Sequence, residues 1–227
     1  MAGAIADNVT NRNDVSIIAV VGPQAPEWES EFTWCRELSE VPVTPDLLID
    51  FTLPEGTLAA AHWCASNGVP LVSGVTGLTE AVITALEKTA EKAPVLWSPN
   101  LSLGVNLLAD LAARAARVLD KDQAVVIEDV HHQWKKDAPS GTALMLGKRI
   151  GQQRNDDESA IEYRSIRKGE VIGEHTITFS MDGEEFDLVH RAHDRTIYAR
   201  GALNAGTWLT GQKPGLYSAE DWLSGRP

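Results

Sequence analysis

The sequence predicts an α/β protein in two parts: a parallel-sheet part, then an α+β part with a largely antiparallel sheet. Three observations carry this. Short aliphatic runs alternate with helical segments as far as Trp97, the pattern of βαβ units. After Ser102 an amphipathic segment takes over, with Leu107, Leu108, Leu111, Ala115 and Val118 at helical spacing. Beyond it, alternating segments flank Asp182-Gly183, a hairpin turn pair.

Element by element, Met1–Asn13 is polar and reads as a loose tail. Val15–Val21 is a β-branched run closed by Gly22-Pro23, hence a strand. Pro23–Pro45 is rich in proline and acids and admits a short helix around Ser30–Ser39. Leu47–Phe51 is a second strand, followed by a helix from Thr57 to Asn67 that Gly68 stops in a left-handed conformation. Strands at Leu71–Val72 and Val95–Trp97 bracket a helix from Thr79 to Lys92. In parallel sheets ligands gather at the carboxyl ends of strands, here Phe51-Thr52, Ser73–Gly77 and Ser98–Asn100. Val105–Leu119 is a helix, Ala124–Val130 a strand, and Ser140 opens a helix to Gln153. Gln152–Ser159 is a polar loop. Glu162–Ile166, Thr176–Met181, Glu185–His190 and Thr196–Ala199 read as strands, Gly201–Leu209 as a helix, and a short helix ends the chain.

Composition narrows the function. A net charge of −12 argues against a nucleic-acid or anionic-membrane binder. Cys35 and Cys64 fit no disulfide framework or zinc pattern and read as reduced buried thiols, so no metal site is expected. No apolar run approaches the roughly 20 residues of a membrane span. These features describe a cytoplasmic protein.

Chemistry concentrates in His131-His132-Gln-Trp-Lys135-Lys-Asp137-Ala-Pro-Ser140-Gly141-Thr142-Ala143. Two imidazoles follow a strand, and adjacent strand residues point to opposite faces, so His131 and His132 have different tasks. A histidine titrates near neutrality, which suits a general acid. Lys135 offers a fixed positive charge. Ser140-Gly141-Thr142 opens a helix, whose hydroxyls and backbone N–H groups form an anion site; an ordinary N-cap by Ser140 is the plainer use. Asp137 reads as a turn residue. Together these elements predict a small anionic substrate with two carboxylates, and a proton transfer.

This run closely resembles the signature of the 4-hydroxy-tetrahydrodipicolinate reductase (dihydrodipicolinate reductase) family. Ile49-Asp-Phe-Thr-x-Pro-Glu-Gly-Thr57, Gly74-Val-Thr-Gly77, Asn100-Leu-Ser-x-Gly-Val-Asn106, Gly173-Glu-His175 and His190-Arg-Ala-x-x-Arg195 extend the likeness from Leu47 to the end. The resemblance implies a truncated Rossmann-like domain over 1–102 and 196–227, and an inserted substrate and oligomerisation domain over 103–195. It implies a homotetramer built through the latter's sheet, and reduction of a cyclic imine dicarboxylate by NADH or NADPH in lysine and diaminopimelate synthesis. By the resemblance, His131 and Lys135 are catalytic. His132, Lys135, Ser140, Gly141 and Thr142 hold substrate carboxylates, while Gly22, Phe51, Thr52, Gly74, Thr76 and Asn100 lie on the cofactor side.

The chain departs from the family near its start. Family members carry a strand, G-x-x-G-R-M-G and a helix, so that backbone N–H groups cradle pyrophosphate. Here Gly22 is followed by Pro23, Pro26, Glu27 and Glu29; prolines lack N–H donors and acids repel phosphate. Leu53 and Val75 replace the family's usual Arg and Thr. Two alternatives to reduction therefore stand: cofactor-free acid/base chemistry on the same substrate, such as dehydration, and a non-catalytic binding or assembly protein on this scaffold.

Overall fold

The computed structural model describes residues 1–10, 12–27, 32–155 and 161–225. The chain divides into two compact units, residues 1–102 with 196–227, and residues 103–195.

The first unit begins with a helix. α1 (Ala2–Val9) packs on α6 (Thr196–Leu209), and Arg12 donates to Asn204 Oδ1 at 3.0 Å and Thr207 Oγ1 at 3.3 Å. The expected loose tail is thus an anchored helix. β1 (Ala19–Val21) uses only the end of the β-branched run and pairs in parallel with β2 (Thr33–Cys35). The segment expected as a helix around Ser30–Ser39 instead holds β2 and one 3₁₀ turn, Leu38–Glu40. Its first residues, Ser30 and Glu31, lie outside the described residues.

A separate parallel sheet has the order β10-β5-β4-β3, from β3 (Leu48–Asp50), β4 (Leu71–Ser73), β5 (Pro94–Trp97) and β10 (Gly215–Tyr217). α2 (Pro54–Asn67) and α3 (Glu80–Ala90) connect the first three. α2 starts earlier than expected because Pro54, with its fixed φ and missing N–H, suits a first helical turn. Gly68 ends it at φ 67°, the predicted left-handed stop. α2 and α3 bury Ala60, Ala61, Cys64 and Leu86 against Leu71 and Val95. Both cysteines are free and buried.

Thr196–Ala199, read as a strand from its β-branched start, is the first turn of α6. Ala199, Ala202, Leu203, Gly206 and Leu209 are buried at helical spacing and decide the matter. Gly201 lets α6 approach closely, since a Cβ there would collide with the Leu101 carbonyl oxygen. α7 (Ala219–Ser224) closes the chain behind a Ser218–Asp221 capping box.

The second unit is a four-stranded sheet of order β7-β6-β8-β9, built from β6 (Ala124–His131), β7 (Ile161–Arg167), β8 (Gly173–Met181) and β9 (Glu184–Ala192). β6–β8 and β8–β9 are antiparallel; β6–β7 is parallel. Gly183, at φ 81°, makes the predicted hairpin turn. α4 (Leu103–Val118) and α5 (Gly141–Arg154) bury Leu108, Ala112, Leu146 and Ile150 with Val125, Ile127, Ile177 and Phe179. Each large aliphatic side chain so buried contributes about 1.5–3 kcal/mol.

The core stripe of α4 differs from expectation. Leu108, Ala109, Ala112 and Ala116 face inward, while Leu107, Leu111 and Val118 are exposed. Small alanines allow a close approach to α5 that the leucine stripe would block. α5 also runs to Arg154, past the expected start of a loop; residues 156–160 of that loop lie outside the described residues.

Candidate active site

Alternation along β6 sets the site. Val125 and Ile127 face the helices; the next two residues on that face are Asp129 and His131. An apolar stripe therefore turns polar at the carboxyl end of the strand. Neighbouring strands continue the change. Ser165 and Arg167 of β7 lie opposite Asp129 and His131, and His175 of β8 lies opposite Asp129.

Asp129 is fully buried and its carboxylate is saturated with donors. Oδ1 accepts from His131 Nδ1 at 3.0 Å and Arg167 Nη1 at 2.8 Å. Oδ2 accepts from Ser165 Oγ at 2.7 Å and the Ser140 N–H at 3.3 Å. Burial pushes this carboxyl up, but Ser165, the Ser140 N–H and Arg167 together outweigh it and hold it below its ordinary range. A carboxylate only accepts, so His131 Nδ1 carries hydrogen and Nε2 is left for chemistry. Burial pushes the His131 imidazole down, and Asp129 offsets this only in part.

Gly173 borders the free end of His131: a Cβ there would stand 3.2 Å from Nε2. Arg167 also donates from Nη2 to the Asp137 carbonyl at 2.6 Å, tying the turn to the strand. The Lys135 ammonium pairs with the Asp137 carboxylate at 2.8 Å. That carboxyl is lowered, first by Lys135 and further by the Gly141 backbone. An internal carboxylate thus bridges the lysine and the helix start.

Of the predicted site residues, Ser140 acts as the α5 N-cap, its Oγ accepting from the Ala143 N–H at 3.2 Å. Its own N–H serves Asp129. Gly141 and Thr142 form the first turn of α5, and a Cβ at Gly141 would meet nothing within 4 Å. His132 follows the last residue of β6. It lines a shallow cavity of about 230 Å³ with Trp134, Glu170, Ile172 and Arg195. The structure therefore brings His131, Lys135 and Ser140 around Asp129 and Asp137, and sets His132 apart with Arg195. Sequence reading missed Asp129, Ser165, Arg167 and His175. The signal for Asp129 was its i−2 spacing from His131 on a strand; Ser165 and Arg167 became visible only with the strand register.

The remaining predicted residues belong to the other unit. Phe51 and Thr52 follow β3, Gly74 and Thr76 follow β4, and Asn100 follows β5. Buried Asp50 organises these ends, accepting from the Thr52 N–H and Thr57 Oγ1 at 2.9 and 2.7 Å and from Ser73 Oγ at 2.9 Å. The Phe51 ring packs over Gly74, where a Cβ would collide with it. Gly22 is different. Its N–H donates to the Cys35 carbonyl oxygen at 3.1 Å, and Pro23 and Pro26 follow it. Among the described residues no helix starts between Gly22 and β2. With its N–H given to Cys35 and with Pro23 and Pro26 lacking N–H donors, the Gly22 turn does not fit a pyrophosphate.

Known proteins supply the remaining comparison. The family descriptions "Dihydrodipicolinate reductase, N-terminus" and "Dihydrodipicolinate reductase, C-terminus" match residues 1–101 and 104–223. The chain belongs to the dihydrodipicolinate reductase family.

A 4-hydroxy-tetrahydrodipicolinate reductase from Stenotrophomonas maltophilia is 46% identical over 187 residues, covering 82% of this chain and 76% of that protein. One from Hahella chejuensis is 39% identical over 204 residues, with the same coverage. A dipicolinate-bound dihydrodipicolinate reductase from Paenisporosarcina sp. TG-14 shares the fold at TM-score 0.83 and 24% identity, covering 95% of this chain and 92% of that one. The chain is thus an enzyme of an oxidoreductase family that uses NAD(P)H, and the family implies lysine and diaminopimelate biosynthesis. Among the described residues no helix is long and apolar enough to cross a membrane, and no cluster of three or more His, Cys, Asp or Glu could hold a metal ion.

Proposed function

We propose that this chain acts on 4-hydroxy-tetrahydrodipicolinate or a similar cyclic imine dicarboxylate, with His131 as the proton donor. The observation that carries the reading is the buried Asp129–His131 pair beside Lys135 and the start of α5. Asp129 fixes the tautomer, so a protonated His131 presents Nε2–H outward as a general acid. Lys135 and the first turn of α5, through Ser140, Gly141 and Thr142, hold a substrate carboxylate once it takes the place of Asp137. His132, with Arg195 in the adjoining cavity, holds the second carboxylate.

NADH or NADPH is the family's reductant. Because the Gly22 turn does not fit a pyrophosphate, the proton side of the reaction is all that these residues support. The same observation favours a second reading, in which His131 and Lys135 catalyse loss of water from the hydroxylated ring without cofactor. The third reading, a binding or assembly protein without turnover, leaves the saturated Asp129–His131 pair without a use.

Turnover of the hydroxylated ring, assayed with NADH, with NADPH and with neither, tests these readings. Replacing His131 by Asn should slow whichever reaction occurs by about 100-fold or more. Unchanged turnover removes His131 from the mechanism, and absence of turnover in all three assays removes this ring as the substrate.

We infer a homotetramer assembled through the second unit's sheet. The face of β6, β7 and β8 away from α4 and α5 carries Glu128, Arg164, Thr176, Thr178 and Ser180, half-exposed polar groups suited to a wet interface. Sedimentation as a monomer at micromolar concentration would remove this inference.

A further inference from the structure

One carboxylate touches both halves of the proposed site. Asp129 Oδ1 holds His131, and Oδ2 holds the backbone N–H of Ser140, the residue that caps α5. Arg167 adds a third link, spanning the Asp129 carboxylate and the Asp137 carbonyl. The proton donor and the anion-binding turn therefore hang from the same buried group.

The charges around His131 matter as much as the geometry. From its own strand it faces Asp129, from the following turn Lys135 with Asp137, from β7 Arg167, and from β8 His175, behind which stands His190 of β9. Asp129 is already neutralised by Arg167. A proton on His131 thus adds positive charge to a site that holds Lys135 as well, and the free enzyme keeps His131 largely neutral at pH 7.5, its imidazole lowered by burial. A general acid must be protonated. A dianionic ligand, with one carboxylate replacing Asp137 at Lys135 and the α5 start and the other beside His132, brings in more negative charge than it displaces.

We propose that Asp129 is a positioning residue that couples the two events, so that a dicarboxylate settling on the α5 turn draws a proton onto His131. The substrate loads its own acid. This rests on the reading of His131 as proton donor and of the turn as carboxylate site. It adds that neither works independently of Asp129.

The test is calorimetry of the full chain with pyridine-2,6-dicarboxylate at pH 7.5, in two buffers of different ionisation enthalpy. The difference in heat gives the protons exchanged. Wild type should take up a fraction of a proton per ligand bound. Asp129→Asn should take up none, bind about tenfold more weakly and lose about 100-fold in kcat. Ser165→Ala keeps the carboxylate but removes its closest donor on the Ser140 side, and serves if D129N does not fold; it should weaken binding about threefold. Wild-type proton uptake and affinity in D129N or S165A overturn the proposal, as does the absence of uptake in wild type. His131→Asn separates the two ideas. Lost uptake in H131N with retained turnover defeats the reading of His131 as the acid, not the coupling. Persistent uptake in H131N defeats the coupling.

Discussion

His175 stands edge-on to His131, with ring centroids 5.2 Å apart and planes at 74°. It is buried, and neither of its ring nitrogens has a hydrogen-bond partner among the described residues. Burial first, then the neighbouring His131 and His190, pushes it down to about 4. An unfolded histidine titrates near 6.5. Between those values the unfolded chain binds more protons, so stability rises with pH across this window and falls as pH is lowered through it, by at most about 3 kcal/mol. Urea unfolding at pH 8 and pH 5 should show about 2 kcal/mol of this loss, and His175→Phe should remove most of it. An equal pH dependence in both proteins would mean that His175 is protonated in the fold.

Gly173 leaves His131 its place. A methyl at 3.2 Å from Nε2 forces the imidazole to move by a few tenths of an ångström. Gly173→Ala should therefore lower kcat about tenfold while changing stability by less than about 1 kcal/mol, because misplacing a reacting group costs rate out of proportion to stability. Gly201→Ala is the contrast: the collision there is with the Leu101 backbone, and the loss should reach about 3 kcal/mol or more. Unfolding curves and turnover of the two variants check both. G173A with wild-type turnover would show that the His131 ring position is not critical.

Lys135 is paired with a half-exposed acid, and such pairs contribute little to stability, about 0–1 kcal/mol. Lys135→Met should leave the unfolding midpoint nearly unchanged and weaken pyridine-2,6-dicarboxylate about tenfold or more. Asp137→Asn should do the reverse and tighten that ligand, because the internal carboxylate no longer competes for the ammonium and the α5 start. Calorimetry on the two variants decides it. Weaker binding by D137N would make Asp137 a support for Lys135 instead of a placeholder.

Local chemistry was readable in the sequence wherever a single residue or a short period decides it. Gly68 as a helix stop, Asp182-Gly183 as a turn and Ser140 as a cap all depend on one or two side chains. Leu107 and Leu111 misled because hydrophobicity says that a face is apolar, not which apolar face lies nearest the sheet; the alanine face of α4 does. Thr196-Ile197 misled because β-branched residues favour strands, while burial of the following alanines and leucines overrides that preference. His131 and Lys135 stood out as a dense motif. Ser165 and Arg167, which complete the Asp129 cluster, lie far along the chain and meet it only through the parallel β6–β7 register.

Gly22 offers the sharpest check on the cofactor side. A phosphate-loop glycine turns its backbone N–H toward the pyrophosphate at a helix start. At Gly22 the added methyl meets only the Gln24 carbonyl oxygen, at 4.0 Å, and the N–H is already given to Cys35. Gly22→Ala should accordingly change stability by no more than about 0.5 kcal/mol and leave any affinity for NADH or NADPH unaltered. Thr52 and Gly74 differ, since they line the strand ends ordered by Asp50 and Phe51. Gly74→Ala must displace the Phe51 ring and should weaken any NADPH affinity about tenfold. Titrating both variants with NADPH distinguishes the cases. A tenfold loss of affinity in G22A would place phosphate at this turn and sink the cofactor-free reading.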